Sequence, residues 1–298
     1  MSLRVLQFGA TGQVARIAAA LAASRGVTLT ALSRAEADLC DPAAVRRAIE
    51  TADVDLVLNC AAFTAVDAAE TAEDEAHAVN AEAPRAMAQA CRARNLPFVH
   101  LSTDYVFDGA AQAPYREQDA PNPVNAYGRS KHAGEVAVLE TWPRSLIVRP
   151  SWVFSPGGST FLSSLFRRLD QAEPLRMVDD QFSRPTAAHD LAAFLLDVAP
   201  RLVAAPEGDP LWGLLHYAGE GSTTPCRFAR EVFARAGRGP AVEPAPAAAF
   251  PTRAPRPVRS VLDTARLQAL FGVTPRPWPQ AVRGYLAGVG SGEQGGER

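Results

Sequence analysis

The sequence predicts an α/β fold, a doubly wound parallel sheet of Rossmann type followed by a smaller C-terminal lobe. Short apolar runs alternate with helix-period stretches through the first 150 residues, the first run ends in a glycine turn, and the alternation breaks down after Pro150. The runs are continuously apolar, as strands buried on both faces of a parallel sheet must be.

In order, Val5 to Phe8 reads as a strand, Gln13 to Ser24 as an Ala-rich helix, Thr28 to Leu32 as a strand, Pro42 to Thr51 as a helix and Leu56 to Asn59 as a strand. The same pattern continues with a helix over Ala81 to Arg94, a strand over Phe98 to Leu101, a helix from Tyr127 to Glu140 and a strand over Ser145 to Val148. Such a βαβ succession places ligands at the carboxyl ends of the strands. Beyond Pro150, helices are expected at Phe161 to Asp170, His189 to Val198, Cys226 to Ala236 and Thr264 to Leu270. This divides the chain into a dinucleotide domain over 1–150 and a mainly substrate-binding lobe over 151–287, with some later segments returning to the first domain. The Pro- and Ala-dense run from Gly239 to Pro257 reads as extended and irregular, either a linker or a crossover at the site. Residues 288–298, with five glycines, read as a flexible tail.

With 298 residues, 47% of them hydrophobic and 21% charged, the chain has the composition of an ordinary globular protein. A net charge of −2 gives no general attraction for nucleic acid or an anionic membrane, so neither is expected as a partner. Cys40, Cys60, Cys91 and Cys226 are widely spaced and lack a C-x-x-C pair, which fits reduced, buried thiols. No leader-like start or long apolar run is present, and a cytoplasmic location is expected.

The turn Gly9-x-x-Gly12-x-x-Ala15 follows the first strand and opens a helix, the arrangement that brings backbone N–H groups and a helix dipole to a pyrophosphate. Gly9 and Thr11 belong to that turn, and Ala61 to the loop after the third strand. At the end of the second strand, where an NAD-selective site carries a carboxylate for the ribose hydroxyls, stand Ser33 and Arg34. A hydroxyl beside a guanidinium favours a 2′-phosphate, so NADP(H) is the expected cofactor, with NAD(H) left open.

Tyr127 and Lys131, four residues apart, share one face of a helix. The ammonium is expected to hold the phenol and lower its pKa from the unperturbed value of about 10. A hydroxyl from Thr103, at a separate strand end, would bind the same carbonyl oxygen. These three point to proton donation to a carbonyl as hydride arrives from a nicotinamide.

The chain resembles the extended short-chain dehydrogenase/reductase superfamily and, within it, the dTDP-4-dehydrorhamnose reductase group. The resemblance is carried by Gly12-Gln13-Val14, the run Asn59 to Asp67, Ser102 to Gly109, Tyr127-Gly128-x-x-Lys131 and Ser151-Trp152-Val153-Phe154. Asp180-Gln181-Phe182-x-x-Pro185-Thr186 and Arg256-Pro257-x-x-Ser260-x-Leu262 extend it. It implies Thr103, Tyr127 and Lys131 as the catalytic trio, with Lys131 also on the nicotinamide ribose. Gly12, Gln13, Val14, Asp38, Leu39, Ala62, Phe63 and Thr64 would line the rest of the dinucleotide, and Thr103, Asp104 and Trp152 the substrate. Phe107 is read as both packing and substrate-lining, and Arg256 as a diphosphate clamp or a surface charge. The implied reaction is reduction of a nucleoside-diphosphate-linked 4-keto-6-deoxy sugar.

Some positions depart from the group's pattern. Pro150 stands where Thr is usual, Thr160 near a usual Asn, and Ser33 in place of an aspartate, and the first two bear on which sugar fits. Some members bind a divalent ion through a Glu in the first helix. Arg16 and Ile17 occupy the neighbouring positions here, and the five histidines lack ligand spacing, so no metal is expected. Two other functions stay open. A 4,6-dehydratase or 4-epimerase is one, although a dehydratase would place Asp-Glu after the Thr and this chain has Asp104-Tyr105. The other is a non-catalytic NADP-binding regulatory subunit. The sequence also leaves a homodimer open.

Overall fold

Parallel strands cannot be joined by tight turns, so each needs a crossover helix, and this chain supplies them in turn. The computed structural model describes residues 2–290. Its strands are β1 (Leu3–Phe8), β2 (Val27–Leu32), β3 (Leu56–Asn59), β4 (Phe98–Leu101), β5 (Ser145–Pro150), β6 (Val153–Phe154), β7 (Leu175–Val178), β8 (Thr186–Ala187), β9 (Gly213–Tyr217) and β10 (Val242–Ala245). The first helices are α1 (Gln13–Ala22), α2 (Pro42–Thr51), α3 (Val66–Ala69), α4 (Glu73–His77), α5 (Ala83–Ala93) and α6 (Ala126–Thr141). They are followed by α7 (Phe161–Phe166), α8 (Ala188–Ala204), α9 (Pro225–Ala236), α10 (Ala265–Phe271) and α11 (Trp278–Gly290).

Six strands form one parallel sheet in the order β2-β1-β3-β4-β5-β9. The order reverses between β1 and β3, which opens a crevice at their carboxyl ends. One face packs Val5, Leu56, Leu146 and Val148 against α1 and α8, where Leu191, Leu195 and Leu202 are buried. The other packs Phe8, Val57, Phe98 and Ile147 against Ile49 of α2, Met87 of α5 and Val138 of α6. A separate apolar core, with Phe154, Leu162, Phe228, Val232 and Trp278 at its centre, builds the smaller lobe.

Three differences from the sequence reading have local causes. Strand β9 completes the sheet beside β5, but its five residues between Gly213 and Tyr217 are too short to show a period. Helix α8 runs six residues past the expected end and carries Pro200 inside it. Helix α11 was not expected, since Pro279 and three glycines mask its pattern; Pro279 lies in its first turn, where a proline is tolerated. Residues 288–290 of the expected tail close that helix, and the rest of the tail lies outside the described residues. The Pro-rich run contains β10, paired with β7, and a 3₁₀ turn at Ala247–Ala249 before crossing back over the sheet end. No described helix is long and apolar enough to cross a membrane.

Candidate active site

At the crevice, β1 ends in Gly9, which adopts φ +91, and a Cβ there would lie 3.1 Å from Ala61. The turn therefore needs glycine to pass this close to the loop after β3. The first turn of α1 begins at Gly12 with no side-chain cap, so its N–H groups face the cavity lined by Gly12, Gln13 and Val14. That cradle fits a pyrophosphate. Gln13 Oε1 accepts from the Ser155 hydroxyl at 2.8 Å, tying the cradle to the loop after β6.

Two cavities meet at Thr11 and Ala62. The first, of about 430 Å³, is lined by Gly9, Thr11, Ser33, Arg34, Asp38, Leu39, Ala61, Ala62 and Phe63. The second, of about 560 Å³, runs from Gly12, Gln13 and Val14 past Thr64 to Thr103, Asp104, Tyr127, Lys131 and Trp152. Asn80 fixes the loop between them from a π turn at Ala78–Glu82. Its Oδ1 accepts from Phe63 N at 2.8 Å, and its Nδ2 donates to the Phe63 carbonyl at 3.1 Å and to Ser130 Oγ at 2.9 Å.

Helix α6 starts where the Asn125 side chain accepts from Gly128 N at 2.8 Å. A Cβ on Gly128 would stand 2.2 Å from the Tyr105 carbonyl oxygen, so glycine lets α6 seat against the loop that carries Thr103. Tyr127 and Lys131 then point into the cavity from one face, both buried. Tyr105, which lines the same cavity, meets the Tyr127 ring edge-on with centroids 5.8 Å apart. Thr103 Oγ1 accepts from Tyr105 N at 3.1 Å and donates to Asp104 Oδ1 at 3.3 Å.

The electrostatics correct one expectation. Burial pushes the Tyr127 phenol above its ordinary value, Thr103 offsets part of this, and Asp104 and Tyr105 add to it. The protein alone therefore keeps the phenol protonated and does not lower its pKa through Lys131. Burial lowers Lys131 to about 8, against an opposing pull from Glu135. Its Nζ donates to the Leu101 carbonyl at 2.7 Å and lies 3.3 Å from His100 Nε2. Glu135 is itself buried; burial alone would raise it, but Arg149, bonded at 2.7 and 2.6 Å, and other partners bring it to about 2.

Asp104 is raised to about 6 by burial, against the hydrogen bonds from Ser260, Ser151 and Thr103. Ser151 Oγ donates to Oδ2 at 2.8 Å and Ser260 Oγ at 2.5 Å, so this one carboxyl gathers the ends of β4 and β5 and the Pro-rich crossover. Trp152 adopts φ +39, an uncommon conformation for a bulky residue, and packs on Phe161 and Phe228 while it also lines the second cavity.

The RmlD substrate binding domain family matches residues 3–290. The chain belongs to this family. Over 282 residues it is 42% identical to a dTDP-4-dehydrorhamnose reductase of Streptomyces griseus, spanning 94% of this chain and 91% of that one. Among solved structures, a dTDP-4-dehydrorhamnose reductase from Clostridium acetobutylicum superposes with a TM-score of 0.90 at 31% identity, covering 97% of this chain and all of that one (100%). The Bacillus anthracis dTDP-4-dehydrorhamnose reductase, solved in complex with NADP, gives 0.88 at 29% identity, covering 96% and 99%.

In this RmlD-family chain a third cavity of about 240 Å³ adjoins the second at Asp104, Tyr105 and Trp152, and is also lined by Gln181, Phe182, Arg256 and Ser260. Arg256 is neither a free clamp nor a lone surface charge. Its Nη1 and Nη2 bond Asp67 at 3.2 and 2.8 Å, and Nη1 also donates to the Ala254 carbonyl. Asp67, which the sequence reading left without a role, anchors the crossover through this pair.

Phe107 is the one sequence-predicted residue that the structure sets apart, and its substrate-lining role is corrected. It is fully buried, stacked on Tyr115 at 4.2 Å, with the Arg149 guanidinium over its ring, and lines none of the three cavities. At the other end, the Ser33 N–H and hydroxyl both donate to Glu36 Oε2, at 2.8 and 2.7 Å, and Arg34 Nε donates to Asp38 Oδ2 at 3.3 Å. Local carboxylates hold the two groups expected to meet a 2′-phosphate. Sequence reasoning also missed His100 and Asn80, and took Arg16 only as a departure from a metal-binding pattern; Ser151 was quoted in a motif without a role. Asn59, Gln181, Phe182 and Ser260 lay inside the quoted motifs without being singled out.

Proposed function

We propose that this chain is an NADPH-dependent reductase of a dTDP-linked 4-keto-6-deoxy sugar of the 4-dehydrorhamnose type. The observation that carries the reading is the convergence of Thr103, Tyr127 and Lys131 on one cavity that begins at the Gly12–Val14 cradle. When bound, the nicotinamide supplies hydride to C4 of the sugar. The α1 first turn would hold the diphosphate, Ala61 to Thr64 and the Ser33–Leu39 segment the adenosine half, and Lys131 the nicotinamide ribose. Tyr127 donates the proton to the C4 oxygen, and its raised pKa keeps that proton available through the neutral range. The Thr103 hydroxyl binds the same oxygen and holds the carbonyl in line with the phenol. Trp152 and Asp104 border the sugar side, and the third cavity leaves room for the nucleotide.

The test offers dTDP-4-dehydrorhamnose with NADPH and follows both absorbance of the reduced cofactor and the sugar product. Stoichiometric NADPH oxidation with a 4-hydroxyl sugar product is expected. Conversion of the sugar without net NADPH oxidation would assign an epimerase or dehydratase. NADPH binding without any conversion across a panel of keto-sugar nucleotides would assign a binding subunit.

A further inference from the structure

The buried histidine behind Lys131 has no place in the reaction described above, yet its hydrogen bonds run in one direction. Ala61 N–H can only donate, and it donates to Asn59 Oδ1 at 3.0 Å. The Asn59 amide is thereby oriented, and its Nδ2 must donate to His100 Nδ1, also at 3.0 Å. Asn59 and His100 are register partners on β3 and β4, so the sheet holds this contact. A neutral ring accepting at Nδ1 carries its hydrogen on Nε2. Burial pushes the ring well below its ordinary pKa whether or not Lys131 is charged, so it is neutral.

That Nε2–H faces Lys131 Nζ at 3.3 Å. An ammonium has only donors, and two opposed N–H groups in a site buried from water repel. An uncharged amine satisfies both contacts, accepting from Nε2–H and donating to the Leu101 carbonyl at 2.7 Å. The other titratable groups around it are Tyr127 and Glu135, one turn away on either side along α6, Arg149 of β5 bonded to Glu135, and Asp104 on the same cavity wall.

We propose that His100, held by Asn59 in the tautomer with its hydrogen on Nε2, is a positioning residue that disfavours the ammonium form of Lys131 and aims its nitrogen at the Leu101 carbonyl, so that the share of Lys131 still uncharged takes a proton from solvent as the dinucleotide binds. The inference rests on the reading that a nicotinamide dinucleotide occupies this cavity. Its diphosphate, seated in the Gly12–Val14 cradle, raises the proton affinity of an amine on the same low-dielectric cavity. Cofactor binding then charges the lysine, and the chain beginning at Ala61, a residue of the cofactor loop, connects loop and amine.

Calorimetry of NADPH binding at pH 8, in two buffers of different ionisation enthalpy, counts the protons taken up. An amine titrating at about 8 is half charged there, so wild type should take up about half a proton per cofactor. In His100→Gln the amide oxygen can turn to the amine and favour the ammonium, so uptake should fall toward zero. Equal uptake in both proteins overturns the proposal. Nitrogen-15 histidine spectra of the unaltered protein without cofactor provide a second measurement, which decides the matter if the variant fails to fold. Hydrogen on Nε2 alone is expected, and hydrogen on Nδ1 or on both nitrogens overturns the proposal. A protein that takes up the proton but reduces no sugar nucleotide keeps this inference and loses the reductase reading. Turnover with no proton uptake does the reverse.

Discussion

At the Ser33–Leu39 end of the groove, polar side chains are exposed and pair within a single turn, Ser33 with Glu36 and Arg34 with Asp38. At the Thr103–Lys131 end they are buried, and each is bonded to a different element. Lys131 of α6 meets β4, Asp104 meets the end of β5 and the Pro-rich crossover, and Glu135 of α6 meets Arg149 of β5. An exposed pair can swing aside for a ligand and is screened by salt, whereas a buried network keeps its geometry because breaking it leaves an unpaired polar group. One end of the groove is thus adaptable and the other preorganised, as a site that binds at one end and does chemistry at the other requires.

The largest expected effect lies at the preorganised end. Tyr127→Phe keeps the ring that packs on Tyr105 and removes the phenolic hydroxyl proposed as the proton donor. The rate of sugar reduction should fall about 10²- to 10⁴-fold while NADPH affinity, followed by fluorescence titration, stays within a few-fold. Loss of both together would place the phenol in cofactor binding. Next comes Glu135→Gln, which strands the buried Arg149 guanidinium. Thermal or urea unfolding should show a loss of about 3–5 kcal/mol. Replacing both members, Glu135→Gln with Arg149→Met, should recover part of it; a double variant no better than the single would mean that Arg149 also stabilises through Phe107 and His216.

The contrast between the two ends also marks what could be read in the sequence. Periodicity placed the strands through β5 and their helices, and the i, i+4 spacing alone put Tyr127 and Lys131 on one wall. Strand register was not legible. The Asn59–His100 contact depends on which residues of β3 and β4 lie side by side, and a single histidine in an apolar run carries no signal of that. Asp104 drew notice as a motif residue, but its partners Ser151 and Ser260 come from 47 and 156 positions away. Phe107 failed for the opposite reason: its motif neighbours line the cavity, and only the fold shows that its own ring turns inward onto Tyr115. At the Ser33 end, the charges were legible but their local pairing with Glu36 and Asp38 was not weighed.

Acid should act on the buried end in a defined direction. Glu135 titrates at about 2 in the folded chain against an ordinary value of 4.5, so its contribution is present above pH 4.5 and lost as pH falls toward 2, on the order of 3 kcal/mol in all. Asp104 has the opposite sign. Raised from 3.8 to about 6, it favours the fold most below pH 3.8, and that contribution is lost as pH rises through 6. Unfolding midpoints measured from pH 2 to 7 should therefore lose their lowest limb in the Glu135→Gln, Arg149→Met variant and flatten between pH 4 and 6 in Asp104→Asn. If both variants keep the wild-type curve, the titrating groups lie elsewhere.

The smallest effects belong to the exposed end. Arg34→Ala removes a side chain that is 74% exposed and already shared with Asp38, so the preference for NADPH over NADH should shrink only about three- to tenfold, and less at high salt. Glu36→Ala works the other way. It frees the Ser33 N–H and hydroxyl and removes a carboxylate that would repel a 2′-phosphate, so NADPH should gain a few-fold over NADH. Kinetic comparison of the two cofactors at equal concentration reads both changes. Opposite shifts in the two variants would show that this turn sets cofactor choice by competition between its own carboxylates and the ligand's phosphate. Unchanged preference in both would move the discriminating contact off this turn.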